Sequence, residues 1–460
     1  MLLSINGTSY SSFHFVGILG SGMSALAQYL RFAGATVSGS DRQAGRDDTA
    51  AVHHGLAAIG CTVVPQDGSG ISATTQAIVI STAIEESNAD IAAARSRAIA
   101  VFHRSDVLAA IITTRRTIAV AGTSGKSTVT AMIFELLQAC GASPSLISGA
   151  GLRTLETQGY IGNAFFGTGD LLVIEADESD GTLVKYHPYI SIILNISKDH
   201  KSVDETIPLF AALAAQSQIA ITNHDDPQLQ SIAATTTFGL LSGADCMPQQ
   251  SRTAPTESTL TINDVNYTVP VPGAHNLSNA LAALCVCKQL AINETELASA
   301  LAGFKGVARR FAQTKTDRNI IVIDDYAHNP EKIKAAIQTA QQFCVCVHAI
   351  FQPHGFGPLR FLKNDFVAAF SMILRPDDHL YLLPVYYAGG TVSRDVSSDD
   401  VAKLLKPDHA RVYTPANRST LLTRLSETVR PGEAVLLMGA RDPSLPALYR
   451  QIIQVLSGEI

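Results

Sequence analysis

The sequence has no basic excess, no apolar run long enough to span a bilayer and no cysteine spacing of the zinc-knuckle kind. Lys and Arg number 34 against 40 Asp and Glu, a net charge of -6. Without a basic footprint the expected partner is a small molecule and not nucleic acid. No uninterrupted apolar stretch approaches the roughly 18 residues of a membrane span, so no membrane partner is expected. The N-terminal "MLLSINGTSYSSFHF" lacks the basic n-region of a secretory leader, and a cytoplasmic location is the expectation. The seven cysteines, Cys61, Cys140, Cys246, Cys285, Cys287, Cys344 and Cys346, mostly sit in apolar segments such as "LAALCVCKQLA" and "QFCVCVHAIF". They read as buried thiols, and the one-residue gap in each Cys-x-Cys pair argues against a structural metal. Internal repeats and low-complexity tracts are also missing.

What is present is globular, with 46% hydrophobic and 16% charged residues in 460. A chain of that length exceeds one ordinary core, since domains run to about 100–200 residues. From Phe13 onward strands alternate with helical segments: "FHFVGIL", "SALAQYLRFAG", "ATVSGS", a helix around "DDTAAVHHGLAAIG", "CTVVP", "AIVIST" and "DIAAARSRA". Such alternation predicts a parallel sheet covered on both faces. The pattern restarts at "TIAVAG", continues through "LLVIEA", "YISIILNI" and "QIAITN", and includes "LTINDVNYTVPVP", where Asn263-Asp264 interrupts two period-2 runs and predicts a hairpin. A third set, "NIIVIDD", "CVCVHAIF", "HLYLLPV", "ARVYTP" and "AVLLMGA", implies another open α/β sheet. The expected domains are 1–114, 115–306 and 307–460.

The central unit carries the sharpest chemistry. "GTSGKST", Gly122 to Thr128, follows a strand and opens a helix, the context a phosphate loop requires. Backbone N–H groups at a helix start attract phosphate, Lys126 can reach a terminal phosphate, and the Ser127 hydroxyl can ligate Mg2+. The Gly-x-x-Gly-Lys-Ser spacing is two residues shorter than the usual Walker pattern. "LLVIEADESD" places Glu175, Asp177, Glu178 and Asp180 at the end of an apolar strand. They suit Mg2+, which prefers oxygen ligands, although an acidic turn is the plainer alternative. A third strand ends in "ILNISKDH", which puts Asp199 and His200 at the carboxyl edge of the same sheet, where α/β folds hold ligands. Upstream, "FVGILGSGMSALAQYL" carries Gly17, Gly20 and Gly22, with Asp41 further on. This is another anion-binding turn, and by itself it leaves a nicotinamide dinucleotide site as a fair reading.

Together these segments resemble the Mur ligase family, the ATP-dependent amide-forming enzymes of peptidoglycan precursor synthesis, over nearly the whole chain. "GTSGKST", "EADESD", "NISKDH" and "GAHNLSNALAAL" are similar to its central-domain motifs, and "ARRF" and "IDDYAHNP" to those of its last domain. The resemblance implies an α/β, three-domain architecture: Rossmann-like N-terminal domain, central P-loop ATPase-like domain and Rossmann-like C-terminal domain. It implies ATP held by Gly122, Thr123, Ser124, Gly125, Lys126, Ser127 and Thr128, with Asn276 and Asn279 at adenine and His275 nearby. Arg309, Arg310, Asp325 and His328 would close over nucleotide and amine. Mg2+ would be held by Ser127, Glu175 and His200, and the catalytic set would be Lys126, Glu175 and His200. A UDP-sugar would lie on Gly17, Gly20, Ser21, Gly22, Met23, Asp41, Ser81 and Thr82, and the amine near Tyr326, His354 and Arg360.

The N-terminal segments "HFVGILGSGMSALA", "SGSD", "IVISTAIEESNADI" and "VFHRSDVLAAII", with "FQPHGFGPLR", are similar to one branch of that family. Its members join an amino acid, here L-alanine as the first expectation, or a whole peptide to the lactyl carboxylate of UDP-N-acetylmuramate through an acyl phosphate. A monomer or dimer is expected. The helix after the Asp-His pair, "ETIPLFAALAAQS", has no lysine for the carbamate found elsewhere in the family, which agrees with this branch. Two residues depart from it: Ser124 stands where the branch has histidine, and Gly355 where it has arginine. The competing readings are a nicotinamide-dependent oxidoreductase, which leaves "GTSGKST" unemployed, and a catalytically idle sugar-nucleotide sensor.

Overall fold

A computed structural model describes residues 2–46, 49–197, 201–254, 257–387, 392–405 and 411–458. The first sheet is parallel throughout, in the order Thr62–Val64, Thr36–Ser40, Ser12–Val16, Ala77–Ile80, Ala100–His103. Its middle strand is buried from Phe13 to Val16, His14 included, because helices cover both faces. Thr36–Ser40 and Thr62–Val64 lie on one side of Ser12–Val16 and Ala77–Ile80 and Ala100–His103 on the other, so the ligand crevice of this sheet opens at the end of that strand, at Gly17. A small hairpin, Leu3–Ile5 with Thr8–Tyr10, precedes it. Its Asn6-Gly7 turn takes φ of 52° and 80°, the left-handed pair that such two-residue turns require.

The second sheet has seven strands in the order Ala164–Phe165, Ser145–Ile147, Leu171–Glu175, Arg116–Ala121, Ile190–Ile193, Ile219–Asn223, Thr236–Phe238. All are parallel except the first pair. Helices Lys126–Ala139 and Ala274–Gln289 share an apolar core with its central strands. The expected hairpin forms as Ser258–Ile262 and Val265–Val269, turning on Asn263 and Asp264 at φ of 49° and 63°. Gln250–Thr253 adds a third strand to it.

Both sheets belong to one compact unit, Met1–Ala308, and Arg309–Ile460 forms a second. The second unit holds a six-stranded sheet, Ala312–Lys315, Ile321–Asp325, Ala434–Gly439, Val347–Gln352, His379–Leu382, Arg411–Tyr413, with only the first strand antiparallel. Pro330–Ala340 and Phe356–Ile373 cover one face, through Val347, Ala349 and Phe351. Arg418–Thr428 and Leu445–Ser457 cover the other, through Ile350, Tyr381 and Val435. Alternate residues of each strand thus feed two cores, which is why the strands read as continuous apolar runs. Six of the seven cysteines are buried and Cys140 is half-buried. Among the described residues no helix is long and apolar enough to cross a membrane.

Candidate active site

The strand Arg116–Ala121 delivers the chain to the loop Gly122–Gly125, and the helix Lys126–Ala139 follows. Gly125 caps that helix at φ 87°, and a Cβ there would stand 2.6 Å from Asn279 Oδ1. Glycine is required on both counts. The loop is held from the neighbouring strand end: Thr123 N donates to Asn195 O at 3.1 Å, and Ser124 N to Asn195 Oδ1 at 2.8 Å. Asn195 Nδ2 returns a bond to Ser124 O at 3.0 Å. Asn195 therefore braces the residue that departs from the branch pattern, a part that sequence reasoning did not assign to it. Ser197 N completes the tie by donating to Thr123 Oγ1 at 3.1 Å.

Lys126 Nζ donates to Gly122 O and to Glu178 Oε2, both at 2.7 Å, and the two side chains are 12% and 6% exposed. Burial works against the ammonium charge, yet the carboxylates of Glu178, Asp177 and Glu175 outweigh it and hold the pKa above the usual lysine value. The lysine stays charged and aimed at its own loop. The Ser127 side chain is buried in the first helical turn, and Thr128 follows half-buried. Glu175 ends its strand and accepts from Gly149 N at 3.0 Å.

The acidic segment does not converge on one point. Glu178 is taken by Lys126, and Asp180 by Arg104 at 2.7 Å and by Thr182 N at 3.1 Å. Asp177 accepts from Ser179 N and Oγ at 3.1 and 3.0 Å, and lies 3.8 Å from Arg104. Glu175 and the Ser127 hydroxyl each offer oxygen, the donor type Mg2+ takes. His200 and Asp199 lie outside the described residues.

Asn276 and Asn279 open the helix Ala274–Gln289 beside the same loop. Asn276 Nδ2 donates to Pro272 O at 2.8 Å, and Asn279 Nδ2 to Asn276 Oδ1 at 3.2 Å. Both are buried and preorganised, while His275 is exposed.

The first glycine turn is built differently. Gly17, at φ 81°, and Ile18 both donate backbone N–H to Ser40 O, at 2.7 and 3.1 Å. Asp41 Oδ2 accepts from Leu19 N at 3.0 Å and Oδ1 from Gln43 N at 2.9 Å, so this carboxylate braces the turn. The helix Ser21–Phe32 starts at Gly20 with no side-chain cap and no acidic residue in its first turn, an arrangement suited to an anion. Ser21 is exposed, whereas the Met23 side chain is in the core, which leaves its backbone for a ligand. Ser81 and Thr82 follow the strand Ala77–Ile80 at the same edge of the sheet.

Arg104, absent from the residues chosen by sequence, joins the two regions. A Cβ on Gly22 would lie 3.1 Å from an Arg104 guanidinium nitrogen, while another reaches Asp180. Its position immediately after the strand Ala100–His103 was the available signal.

In the second unit, Arg309 donates to Gly439 O at 2.8 Å and sits 3.5 Å from Asp324. Arg309 and Arg310 lie over the Tyr326 ring, 5.1 and 4.9 Å from its centroid. Asp325 accepts from Phe311 N and Ala327 N, both at 2.7 Å, and burial raises its pKa against the pull of Arg310. His328 packs against Tyr326 and His354 at 5.5 and 5.3 Å. These residues form one cluster at the carboxyl ends of Ile321–Asp325 and Val347–Gln352. Arg360 stands apart from it, paired with Asp395 and bonded to Ser393 O at 2.9 Å.

Comparison with known proteins agrees with this layout. Three family descriptions match in order: "Mur ligase family, catalytic domain" over 12–116, "Mur ligase middle domain" over 120–287 and "Mur ligase, glutamate ligase domain" over 309–441. UDP-N-acetylmuramate–L-alanine ligase of Pelotomaculum thermopropionicum is 34% identical over 450 residues, covering 93% of this chain and 94% of that protein. The enzyme of the same name from Thermosynechococcus vestitus is 35% identical over 457 residues, covering 93% and 92%. Among solved structures, UDP-N-acetylmuramate-alanine ligase of Thermotoga maritima superposes with a TM-score of 0.80 at 25% identity, over 98% of this chain and all of that one. A murein peptide ligase from Psychrobacter arcticus shares the fold, with a TM-score of 0.69 at 19% identity, over 98% and 99% of the two chains.

Proposed function

Because the chain belongs to the Mur ligase family, we propose that it joins L-alanine to the lactyl carboxylate of UDP-N-acetylmuramate, with ATP consumed to ADP and phosphate. The reading rests on one observation: two anion-binding glycine turns in one unit, each with a cation paired to the same acidic segment. Lys126 meets Glu178, and Arg104 meets Asp180. Two phosphorylated ligands would thereby be brought together on residues 177–180.

A carboxylate resists attack by an amine because an oxide must leave. Transfer of the ATP γ-phosphoryl group to it gives an acyl phosphate, from which phosphate departs readily. Catalysis of both steps is positioning and neutralisation of developing charge. In this scheme Lys126 exchanges Glu178 for the γ-phosphate, backbone N–H groups of Gly122 to Thr128 cradle the phosphates, and Asn276 and Asn279 read adenine. Ser127 and Glu175, with His200, would hold Mg2+. When bound, the ion supplies charge neutralisation between phosphate oxygens. The first glycine turn, with Arg104, takes the UDP diphosphate, while Tyr326, His328 and His354 receive the amine. The domain limits at 114/115 and 306/307 and a cytoplasmic location belong to the same proposal.

The test is ADP release in assays that omit one reactant at a time. ADP should form only when ATP, Mg2+, UDP-N-acetylmuramate and L-alanine are all present, and turnover without the sugar nucleotide would overturn the reading. Because Ser124 and Gly355 depart from the branch and Arg360 is committed to Asp395, a panel of other amino acids and peptides belongs in the same assay.

A further inference from the structure

We infer that Cys346, His348 and His379 form a structural site for a zinc-class divalent cation, at the end of the C-terminal sheet opposite the Tyr326–His354 cluster. Cys346 immediately precedes the strand Val347–Gln352 and His348 is its second residue, so the two side chains point to one face. His379 opens the neighbouring parallel strand and pairs in register with His348. One donor atom from each residue lies within 4.8 Å of the other two. The imidazole centroids are 4.4 Å apart, and all three residues are buried.

The donor chemistry is selective. A thiolate with two imidazoles suits Zn2+ and disfavours Mg2+ or Ca2+, which take oxygen ligands. Glu433 Oε2 lies 3.0 Å from His348 Nε2, outside the 4.8 Å group of three, and would reach a fourth position by a side-chain shift. A divalent ion with one thiolate and one carboxylate has no net charge, which removes the main penalty for burying it. One outer partner is of the kind that orients metal-binding histidines: Tyr381 OH is 3.1 Å from His348 Nδ1 and 3.4 Å from His379 Nδ1, where its oxygen can accept both N–H groups. Arg411, which only donates, holds the lone pair of His379 Nε2 at 3.0 Å, so a bound ion takes that nitrogen by displacing Arg411 while the Nδ1–H stays on Tyr381 OH. Cysteine spacing could not reveal this site, because its donors come from two adjacent strands and only one is a thiol.

The same residues admit a metal-free account. Arg411 donates to His379, His379 to Tyr381 OH, Tyr381 to His348 and His348 to Glu433, while the Cys346 thiol donates to Asp377 O at 3.1 Å. Titration of the full chain distinguishes the two. After dialysis against chelator, and in excess Mg2+ to fill oxygen-ligand sites, the protein should bind one equivalent of Zn2+. Co2+ in its place should give an intense near-ultraviolet thiolate-to-cobalt band.

Cys346→Ser should abolish the band and weaken binding at least about 100-fold, the upper range seen when even outer partners of a metal ligand are lost. Cys344→Ser should keep it, since that thiol donates to Ala340 O. X-ray absorption of the zinc-loaded wild type needs no variant, and should show one sulfur with nitrogen and oxygen scatterers. Failure to bind an equivalent in excess Mg2+, a zinc shell without sulfur, or a cobalt band that persists in Cys346→Ser overturns the site. None of these outcomes bears on ligase turnover, so the inference and the proposed reaction stand or fall separately.

Discussion

The two glycine turns of the first unit share a plan, strand then turn then helix, and differ in where their positive charge comes from. At Gly122–Gly125 the cation is Lys126, the first residue of the turn's own helix. At Gly17–Gly22 the helix Ser21–Phe32 brings none to its start, and the cation is Arg104, from a helix some eighty residues later in the chain. A lysine built into a loop can follow a phosphoryl group through transfer, as a reacting group requires. An arginine imported from a neighbouring element offers a planar fork suited to a diphosphate that is held and not transferred. Both cations meet carboxylates of one short segment, residues 177–180. The difference separates a reacting site from a holding site, and substitutions can test that separation.

Removing Lys126 should have the largest effect. Lys126→Ala is expected to lower kcat by about 1,000-fold, the order found when one preorganised donor to developing charge is lost. Affinity for UDP-N-acetylmuramate, measured by calorimetry, should change little. Because the pair is buried, the stranded Glu178 carboxylate costs about 3–5 kcal/mol of stability. The double variant Lys126→Ala/Glu178→Gln should recover much of that stability and none of the turnover. If sugar-nucleotide binding vanished in a folded variant, the two sites would not be separate.

Arg104→Ala should do the converse. One charge-assisted hydrogen bond to a diphosphate, at about 1.5–3 kcal/mol, corresponds to a loss of roughly 10-fold to 150-fold in sugar-nucleotide affinity. The KM for ATP should stay near its original value. Equal losses at both substrates would show that Arg104 acts through general disorder of the acidic segment and not as a holding residue.

How far these sites were legible in the sequence follows the same division. Periodicity located most of the parallel strands of the three sheets and the Asn263-Asp264 hairpin, because buried strands and left-handed turn residues leave local signatures. The short strands Ala100–His103, Ser145–Ile147, Ala164–Phe165, Thr236–Phe238 and Ala312–Lys315 were not anticipated. They are two to four residues long and exist through pairing with neighbours. The N-terminal hairpin was missed although Asn6-Gly7 announced it. Lys126 was visible because the loop and its cation are contiguous. Arg104 and Asn195 were not, since each acts on a turn from a distant strand end, a relation only tertiary structure supplies. Arg360, whose place after "QPH" suggested a ligand contact, shows the same dependence on tertiary structure, since its pairing with Asp395 has no local signature.

A smaller effect is expected from the loop backbone. Gly125→Ala places a Cβ in a left-handed conformation and against Asn279 Oδ1, which should lower stability by about 1–3 kcal/mol. Thermal denaturation would read this directly. Gly17→Ala should cost less, because the nearest atom to its Cβ would be the flexible tip of Ile84 at 3.4 Å. A reversed order would mean that the second loop is the looser of the two.

The smallest effect concerns Asp177, the carboxylate that senses both cations. Burial alone raises its pKa, but Lys126, the Ser179 hydrogen bonds and Arg104 outweigh it, and the group sits below the ordinary carboxylate value. A carboxylate with a depressed folded-state pKa contributes stability that is fully present above its unfolded value of about 3.9 and is lost as pH falls through the folded one. The stability gap between wild type and Asp177→Asn should therefore be constant near neutral pH and close only in acid, below about pH 4. Its side chain is 41% exposed, so solvent screening holds the gap to a few tenths of a kcal/mol. Denaturant melts at pH 7 and pH 3 measure it. In the Arg104→Ala background the gap should shrink slightly, and in the Lys126→Ala background it should shrink further, because the lysine is the stronger of the two cationic influences on Asp177. A gap that widened in acid would reverse the sign of the linkage and place Asp177 outside the field of either turn.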